Sequence, residues 1–375
     1  MILTQCAVCA TELGLSLGKK CGRCSTRYCG AACQKQHWEQ GGHDKLCKQI
    51  KNAGGAEQYN ANTRYTEAVA VAAEACAEDT KGQTCYICTQ ALHWKTKEGL
   101  VRGCSCRGTA GLAHVSCLAE QAKILFAEAE ENNLDIKVQN KRRRRWVTCS
   151  LCEQQYHGVV EHALGWACWK TYVGRPETDL IRQAAMSALG LGLSDAKHYK
   201  DALTVQEAAL SSMRRLGADE DKMLVMQSNL ASTYNSLGRL EEAMRMRQDV
   251  HSGTLRLYGE EHENSLTDAY NYAASLVALQ RSVEAKSLFL KVLPVARRVL
   301  SDNHRLALKM RWNYAKALYR DAAATFDDLR EAVTTLEDVT RIARRVFGGA
   351  YPLTVNIEEE LRHARAALAA REAKG

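Results

Sequence analysis

Cysteine and histidine residues recur in closely spaced pairs along the first half of the chain. All sixteen cysteines lie between Cys6 and Cys168, and residues 169–375 contain none. Thiolate sulfur and imidazole nitrogen are the ligands that Zn2+ prefers, and a structural zinc ion takes four of them. Thiols at this density in a reducing compartment are better explained by metal binding than by disulfides. The two halves of the chain therefore need separate explanations.

The first cluster of zinc-type ligands spans residues 6–47 and has eight members, enough for two tetrahedral ions. Its members are Cys6, Cys9, Cys21, Cys24, Cys29, Cys33, His43 and Cys47. Apolar residues are too few here to offset the entropy of ordering the segment, whereas a structural zinc ion contributes about 10–16 kcal/mol. His37 has no cysteine three residues further on, so we expect it not to be a ligand.

The end of this cluster resembles the MYND zinc finger. Cys33-Gln34, Trp38 and the His43-x3-Cys47 spacing fit the pattern of that family, in which the ligand pairs interleave. The resemblance implies one ion on Cys6, Cys9, Cys29 and Cys33, and another on Cys21, Cys24, His43 and Cys47. Spacing alone does not fix this partition. Because MYND-like fingers commonly bind short proline-containing peptides, the resemblance also implies a protein or peptide partner.

A second cluster spans residues 85–152 and again has eight members in four pairs. Its members are Cys85, Cys88, Cys104, Cys106, His114, Cys117, Cys149 and Cys152. The blocks 106–111, 114–118 and 149–156 resemble the RING-CH finger. The resemblance implies one ion on Cys85, Cys88, His114 and Cys117, and another on Cys104, Cys106, Cys149 and Cys152. Four structural zinc ions per chain are therefore expected.

The RING-CH resemblance also implies a function in ubiquitin transfer. Such fingers dock a charged ubiquitin-conjugating enzyme, usually through an apolar residue inside the first cysteine pair, and Ile87 occupies that place. The chain departs from the family in two respects. The tryptophan that usually follows the sixth ligand is missing after Leu118, and thirty-one residues separate Cys117 from Cys149.

The segment between Cys117 and Cys149 is predicted to be helical over 118–132, where Ala, Glu, Gln and Lys predominate. The basic run 141–145 follows it. This run is either a nuclear import or nucleic-acid contact, or a solvated turn that balances the acidic helix. Fourteen zinc thiolates would contribute −14 and four Zn2+ ions +8, which lowers the formal charge from +8 to +2. This argues against nucleic-acid binding.

The second half must be organised by a repeat rather than by metal. An Asn-x-Ala pattern recurs in steps of forty-two residues, as Asn229-Leu230-Ala231, Asn271-Tyr272-Ala273 and Asn313-Tyr314-Ala315. A fixed period of this length indicates stacked helix pairs, because one pair alone cannot bury its apolar stripe. We expect three clear repeats, a degenerate leading copy and a capping helix over 353–370. Small residues should let the paired helices approach closely: Ala231, Ala273, Ala315, Ala243, Ala285 and Ala332.

The repeats resemble the forty-two-residue tetratricopeptide repeats of kinesin light chains. That resemblance implies a curved groove for peptides or protein surfaces, with Asn229, Asn271 and Asn313 facing a ligand backbone. The alternative is that these asparagines stabilise helix contacts inside the repeat array, and the sequence leaves both open.

Together these patterns predict small zinc-stabilised α+β modules followed by an all-α tetratricopeptide-like solenoid. The expected bounds are 1–50 for the MYND-like finger, 51–80 for a helical linker, 81–160 for the RING-CH-like finger and 178–375 for the repeats. The expected function is a protein-interaction adaptor, and the alternative is an E3 ubiquitin-protein ligase whose repeats select the substrate. A SET-type methyltransferase is excluded because no Asn-His-x-Cys motif is present.

The opening sequence MILTQCAVC lacks a basic region followed by an apolar core, so no signal peptide is expected. The apolar stretches are also shorter than the roughly twenty residues of a membrane span. We therefore expect an intracellular protein, cytoplasmic or nuclear, without a membrane partner.

Overall fold

The computed structural model describes residues 4–14, 17–349 and 352–373. The chain divides into two compact units, Met1–Ala218 and Asp219–Gly375. Both clusters of zinc-type ligands lie in the first unit. Of the described helices, none combines the length and the apolar character that crossing a membrane requires.

The first finger is a small α+β module. Strands β1 (Lys19–Lys20) and β2 (Arg27–Tyr28) form an antiparallel pair, followed by helices α1 (Ala31–Glu39) and α2 (His43–Asn52). Its core is small and centres on Tyr28, which is fully buried. A core of this size indicates that the module depends on more than apolar burial.

The second finger is built from loops with helices inserted between them. Helices α3 (Ala56–Ala75) and α4 (Ala77–Thr80) precede it, and isolated bridges Val101↔Ala113 and Thr148↔Gln155 hold its loops. The helix predicted after Cys117 is present as α5 (Val115–Glu131). Three further elements follow in order: α6 (Ile136–Arg143), a 3-10 turn (Arg144–Trp146) and α7 (Gly158–Tyr172).

Helix α3, expected as a linker, packs along α7. Gln58 donates to the backbone carbonyl of Lys170 at 3.0 Å. Glu57 pairs with Arg27 of β2 at 3.7 Å and with Arg182 at 3.3 Å. One carboxylate therefore connects the first finger, α3 and the segment after α7 inside the first unit.

The first unit closes with α8 (Leu180–Asp195) and α9 (Tyr199–Arg215), which occupy the place of the degenerate leading copy of the repeat. Helices α7 and α8 cross at glycines. A Cβ atom at Gly192 would lie 2.7 Å from the Glu161 carbonyl oxygen, and one at Gly165 would lie 3.0 Å from that of Ala188. The Gly190-Leu191-Gly192 sequence is thus explained by helix packing.

Substitution of Gly192 by alanine should destabilise the first unit by about 1–3 kcal/mol, because the added methyl group forces two backbones apart. The measurement is the thermal midpoint of the first unit, followed by tryptophan fluorescence. Gly174→Ala is the matched control, since a Cβ there meets no atom within 4 Å. Equal midpoints for the two variants would contradict the prediction.

The second unit consists of antiparallel helix pairs and a final helix. The elements are α10 (Glu220–Ser236), α11 (Leu240–Tyr258), α12 (Glu263–Ala278), α13 (Ser282–Val299), α14 (Arg305–Tyr319), α15 (Phe326–Phe347) and α16 (Pro352–Glu372). These three pairs and the last helix correspond to the predicted repeats and capping helix. The six small alanines are all fully buried, as close helix approach requires. A longer loop before α15 accommodates the insertion in the third repeat and ends in a capping box formed by Thr325 and Asp328.

Candidate metal centres

The sixteen zinc-type ligands are brought together as four tetrads, within each of which the ligand atoms lie within 4.8 Å of one another. The first tetrad is Cys6, Cys9, Cys29 and Cys33, and the second is Cys21, Cys24, His43 and Cys47. The third tetrad is Cys85, Cys88, His114 and Cys117, and the fourth is Cys104, Cys106, Cys149 and Cys152. These groupings are the ones that the two resemblances implied.

The distances inside the tetrads fit a tetrahedral ion. Sulfur atoms bound at about 2.3 Å at the corners of a tetrahedron lie about 3.8 Å apart. The Sγ atoms of Cys21 and Cys47 are 3.9 Å apart, and those of Cys106 and Cys149 are 3.8 Å apart. All sixteen cysteines are free thiols. The four tetrads are therefore suited to Zn2+, and the donor sets resemble closed structural sites.

The Cys-x2-Cys pairs share one backbone geometry. The residue after the second cysteine of each pair has a left-handed φ angle: Ala10, Ser25, Thr89 and Glu153. Its N–H donates to the carbonyl of the first cysteine, at 3.1 Å for Ala10 and 2.8 Å for Thr89. Left-handed backbone is costly for residues other than glycine, so these turns persist because the surrounding contacts determine them.

Burial and clustering favour the neutral form of several thiols in the tetrads, so their ionisation depends on a nearby positive charge. Burial raises the pKa of the Cys47 thiol to about 12, and it also raises the pKa of Cys104 and of Cys117. Clustered thiols can all reach the thiolate form at neutral pH only if a cation offsets their charge. In contrast, hydrogen bonding by Thr11 lowers the pKa of Cys9 to about 6.

The four tetrads differ in exposure. Cys9 and Cys29 of the first tetrad are exposed to solvent, whereas all four members of the second tetrad are buried. Solvent and reagents therefore reach the first site without opening of the finger.

Limited alkylation of the zinc-loaded chain with N-ethylmaleimide should modify the first tetrad before the second. We expect a rate difference of about tenfold, which corresponds to about 1.4 kcal/mol of additional opening free energy for the buried tetrad. Mass spectrometry of the labelled peptides provides the measurement. Cys76 and Cys168 are buried and belong to no tetrad, so they serve as internal controls. Equal rates for the two tetrads would be incompatible with this order.

His37 lies beside the second tetrad but is not one of its members. Its Nδ1 atom is 3.0 Å from the Tyr28 hydroxyl, and its ring packs 4.9 Å from that of His43. His37 therefore contributes to the packing around a ligand.

Exposed apolar side chains lie near the ligands of both tetrads of the second finger, with Leu151 between Cys149 and Cys152 of the fourth tetrad. Ile87, Leu92, Trp94 and Leu151 are all exposed, Trp94 by 69%. The loop that carries Leu92 and Trp94 is fixed to the tetrad, because the His114 ring contacts the carbonyl of Ala91 at 3.3 Å. Sequence reasoning identified only Ile87, since Trp94 lies before rather than after the sixth ligand.

The basic run 141–145 is folded into α6 and the following turn. Arg142 pairs with Glu128 at 3.0 Å, and Arg145 donates to the carbonyl of Cys149 at 3.1 Å. These contacts correspond to the expected balance between the run and the acidic helix, here α5. Because Arg142 and Arg145 are engaged within the finger, fewer side chains of the basic run are available to contact a nucleic acid.

The three repeated asparagines are placed differently in the second unit. Asn229 and Asn271 are half-buried. Asn313 is only 7% exposed, and its amide donates to the Lys309 carbonyl at 3.1 Å and contacts the Tyr270 hydroxyl. The contacts of Asn313 are those of a residue that stabilises neighbouring helices.

Comparison with known families gives one match in each part of the chain. Residues 6–47 match the MYND finger, residues 85–152 the RING-variant domain and residues 224–264 the tetratricopeptide repeat. The recognition of all three types from sequence is confirmed. No curated protein sequence matches the chain significantly.

Solved structures with similar chains include two crystal structures of putative kinesin light chain TPR-like repeats from Podosopora anserina. The first is of a variant with one substituted residue; it has 18% identity and a TM-score of 0.44, and the match covers 62% of this chain and 97% of that chain. The second has 17% identity and a TM-score of 0.43, over 62% and 98% of the two chains. The crystal structure of BtubC (BKLC) from P. vanneervenii has 13% identity and a TM-score of 0.38, and the match covers 68% of this chain and 90% of that chain.

Proposed function

We propose that this chain is an adaptor in which zinc-stabilised fingers hold one protein and the repeats hold another. The residues of the four tetrads are the zinc ligands in this proposal. The observation that carries it is the closure of each site: four protein ligands complete the coordination of a structural zinc ion and leave no position for a substrate. The zinc fingers and the tetratricopeptide repeat are both interaction modules, and their combination supports an adaptor.

The surfaces that would meet partners are exposed. On the first finger, Trp38 and Leu46 are 46% and 39% exposed, and the Trp38 ring is fixed 5.8 Å from that of His43. This surface suits a short apolar or proline-containing peptide. On the repeats, Asn229 and Asn271 retain partial exposure, and we propose that they contact the backbone of a bound peptide.

A second candidate function is that of an E3 ubiquitin-protein ligase. Exposed apolar side chains of the second finger favour it: Ile87, Leu92 and Trp94 lie beside the third tetrad, and Leu151 lies between two ligands of the fourth. Trp94 could supply the large aromatic contact that the chain lacks after Leu118. In this function the second finger docks a ubiquitin-conjugating enzyme, and the repeats select the protein that receives ubiquitin.

A ubiquitin-transfer assay separates the two functions. The full zinc-loaded chain is incubated with ubiquitin, the activating enzyme and a broad panel of conjugating enzymes, and ubiquitin conjugates are detected on gels. An adaptor should form no conjugates with any member of the panel. A ligase should form them and lose most of this activity in Ile87→Ala.

The matched control is Val71→Ala, which truncates another exposed apolar residue of the first unit. If both variants lose activity equally, the effect does not arise from docking at Ile87. The adaptor proposal is tested directly by selecting proline-containing peptides from a displayed library on the full chain. The adaptor proposal fails if every selected peptide binds the Trp38→Ala and Asn271→Ala variants as tightly as it binds the original chain.

A further inference from the structure

The first turn of α5 carries two ligands of the third tetrad. His114 is the N-cap residue and Cys117 lies in the first turn. The first N–H groups of a helix have no partner within the helix, and the His114 side chain does not cap them. Another acceptor is therefore needed to hold this turn in place.

Glu98 provides that acceptor from the preceding loop. Its Oε1 atom accepts a hydrogen bond from the backbone N–H of Ser116 at 2.7 Å, and Oε2 accepts one from the Ser116 hydroxyl at 2.9 Å. Thr96 donates to the same Oε2 atom at 3.0 Å. A carboxylate at this place is also favoured by the positive end of the helix dipole.

The hydrogen bonds continue on both sides of Glu98. On one side, the Tyr65 hydroxyl of α3 is 2.9 Å from the Ser116 hydroxyl oxygen, and the Lys170 ammonium lies 4.1 Å from the Tyr65 ring centre. On the other side, Thr96 Oγ1 is 2.8 Å from Nδ1 of His93, whose ring packs 5.4 Å from that of His114. The third tetrad is thus connected to α3 and α7.

We propose that Glu98 is a positioning residue for the third zinc site. Its carboxylate holds the first turn of α5 so that His114 and Cys117 remain aligned with Cys85 and Cys88. Without it, the turn has no acceptor for the Ser116 N–H, and the two ligands lose their fixed orientation. Residues that orient metal ligands typically contribute 10–100-fold to metal affinity.

The test compares the full zinc-loaded chain with Glu98→Ala during challenge with a colorimetric chelator. We expect one of the four zinc equivalents to leave about 10–100-fold faster, while the other three leave at the original rates. Alkylation during this fast phase, mapped by mass spectrometry, should modify Cys85, Cys88 and Cys117 together. Glu98→Gln keeps an acceptor oxygen for the Ser116 N–H and should restore part of the original rate.

Glu120→Ala is the matched control, because Glu120 lies on the same helix and pairs at the surface with Lys123. It should leave all four rates unchanged. The proposal is overturned if Glu98→Ala releases all four ions at the original rates, or if the cysteines of all four tetrads become reactive together. Should Glu98→Ala fail to fold, Glu98→Asp decides, because the shorter side chain withdraws the carboxylate from the Ser116 N–H: faster labelling confined to the third tetrad supports the proposal, and unchanged labelling overturns it.

Discussion

Removal of zinc from the full chain should unfold both fingers and leave the helix pairs of the second unit folded. Each structural zinc ion contributes about 10–16 kcal/mol, which matches or exceeds the roughly 5–15 kcal/mol by which a whole domain is usually stable. The first finger has only a small core around Tyr28. Its four-ligand sites must therefore supply most of its stability.

The measurement is hydrogen exchange with mass spectrometry before and after exhaustive chelation. Segments 6–47 and 85–152 should lose their protection, whereas α12 to α15 should keep theirs. Restoring zinc should restore the protection. Retained protection in both fingers after complete metal removal would show that the tetrads do not stabilise them.

Phe289→Ala should destabilise the second unit by about 3–5 kcal/mol, the usual cost of removing a large buried aromatic side chain. Phe289 is fully buried in α13, and its ring packs edge-on against that of Tyr314 at 6.3 Å between centres. The cavity would open in a core that also contains Leu276 of the same repeat and Leu336 of the next repeat. Because stacked repeats stabilise one another, the loss should affect the whole unit.

Leu290 provides the matched control for this prediction. It is adjacent in sequence but 58% exposed, so Leu290→Ala should change the free energy of unfolding by no more than about 0.5 kcal/mol. Denaturant unfolding, followed by circular dichroism in the far ultraviolet, measures both variants. Comparable shifts for Phe289→Ala and Leu290→Ala would contradict the assignment of the core.

The sequence was sufficient to predict the ligands as sets of eight, because each zinc-type pair is local and recurs at short spacing. The partition into tetrads came from the family resemblances, since any four of eight ligands satisfy the coordination number. The left-handed turns at Ala10, Ser25, Thr89 and Glu153 carried no signal, because none of these residues is glycine or asparagine.

Contacts between segments that are distant along the chain could not be predicted from the sequence, for a different reason. Glu57 and Glu98 each look like ordinary solvated carboxylates, and their partners Arg182 and Ser116 lie far along the chain. Similarly, the repeat register located Asn313 but could not show that its amide is buried against Lys309 and Tyr270. In each case the role depends on the packing of whole helices, which short-range patterns do not specify.

The alternation of ligand pairs has a consequence for the newly made polypeptide as it leaves the ribosome. The fourth tetrad draws its first two thiols, Cys104 and Cys106, from between the pairs of the third, so it stays incomplete after Cys117 has emerged. Translation of the thirty-one residues before Cys149 takes about 2–6 s at the usual rate of roughly 5–20 residues per second. During that interval the thiols of Cys104 and Cys106 lack their two partner ligands and are open to oxidation and to binding of the wrong metal. Zinc supply at the moment of synthesis should therefore determine how much of the chain matures correctly.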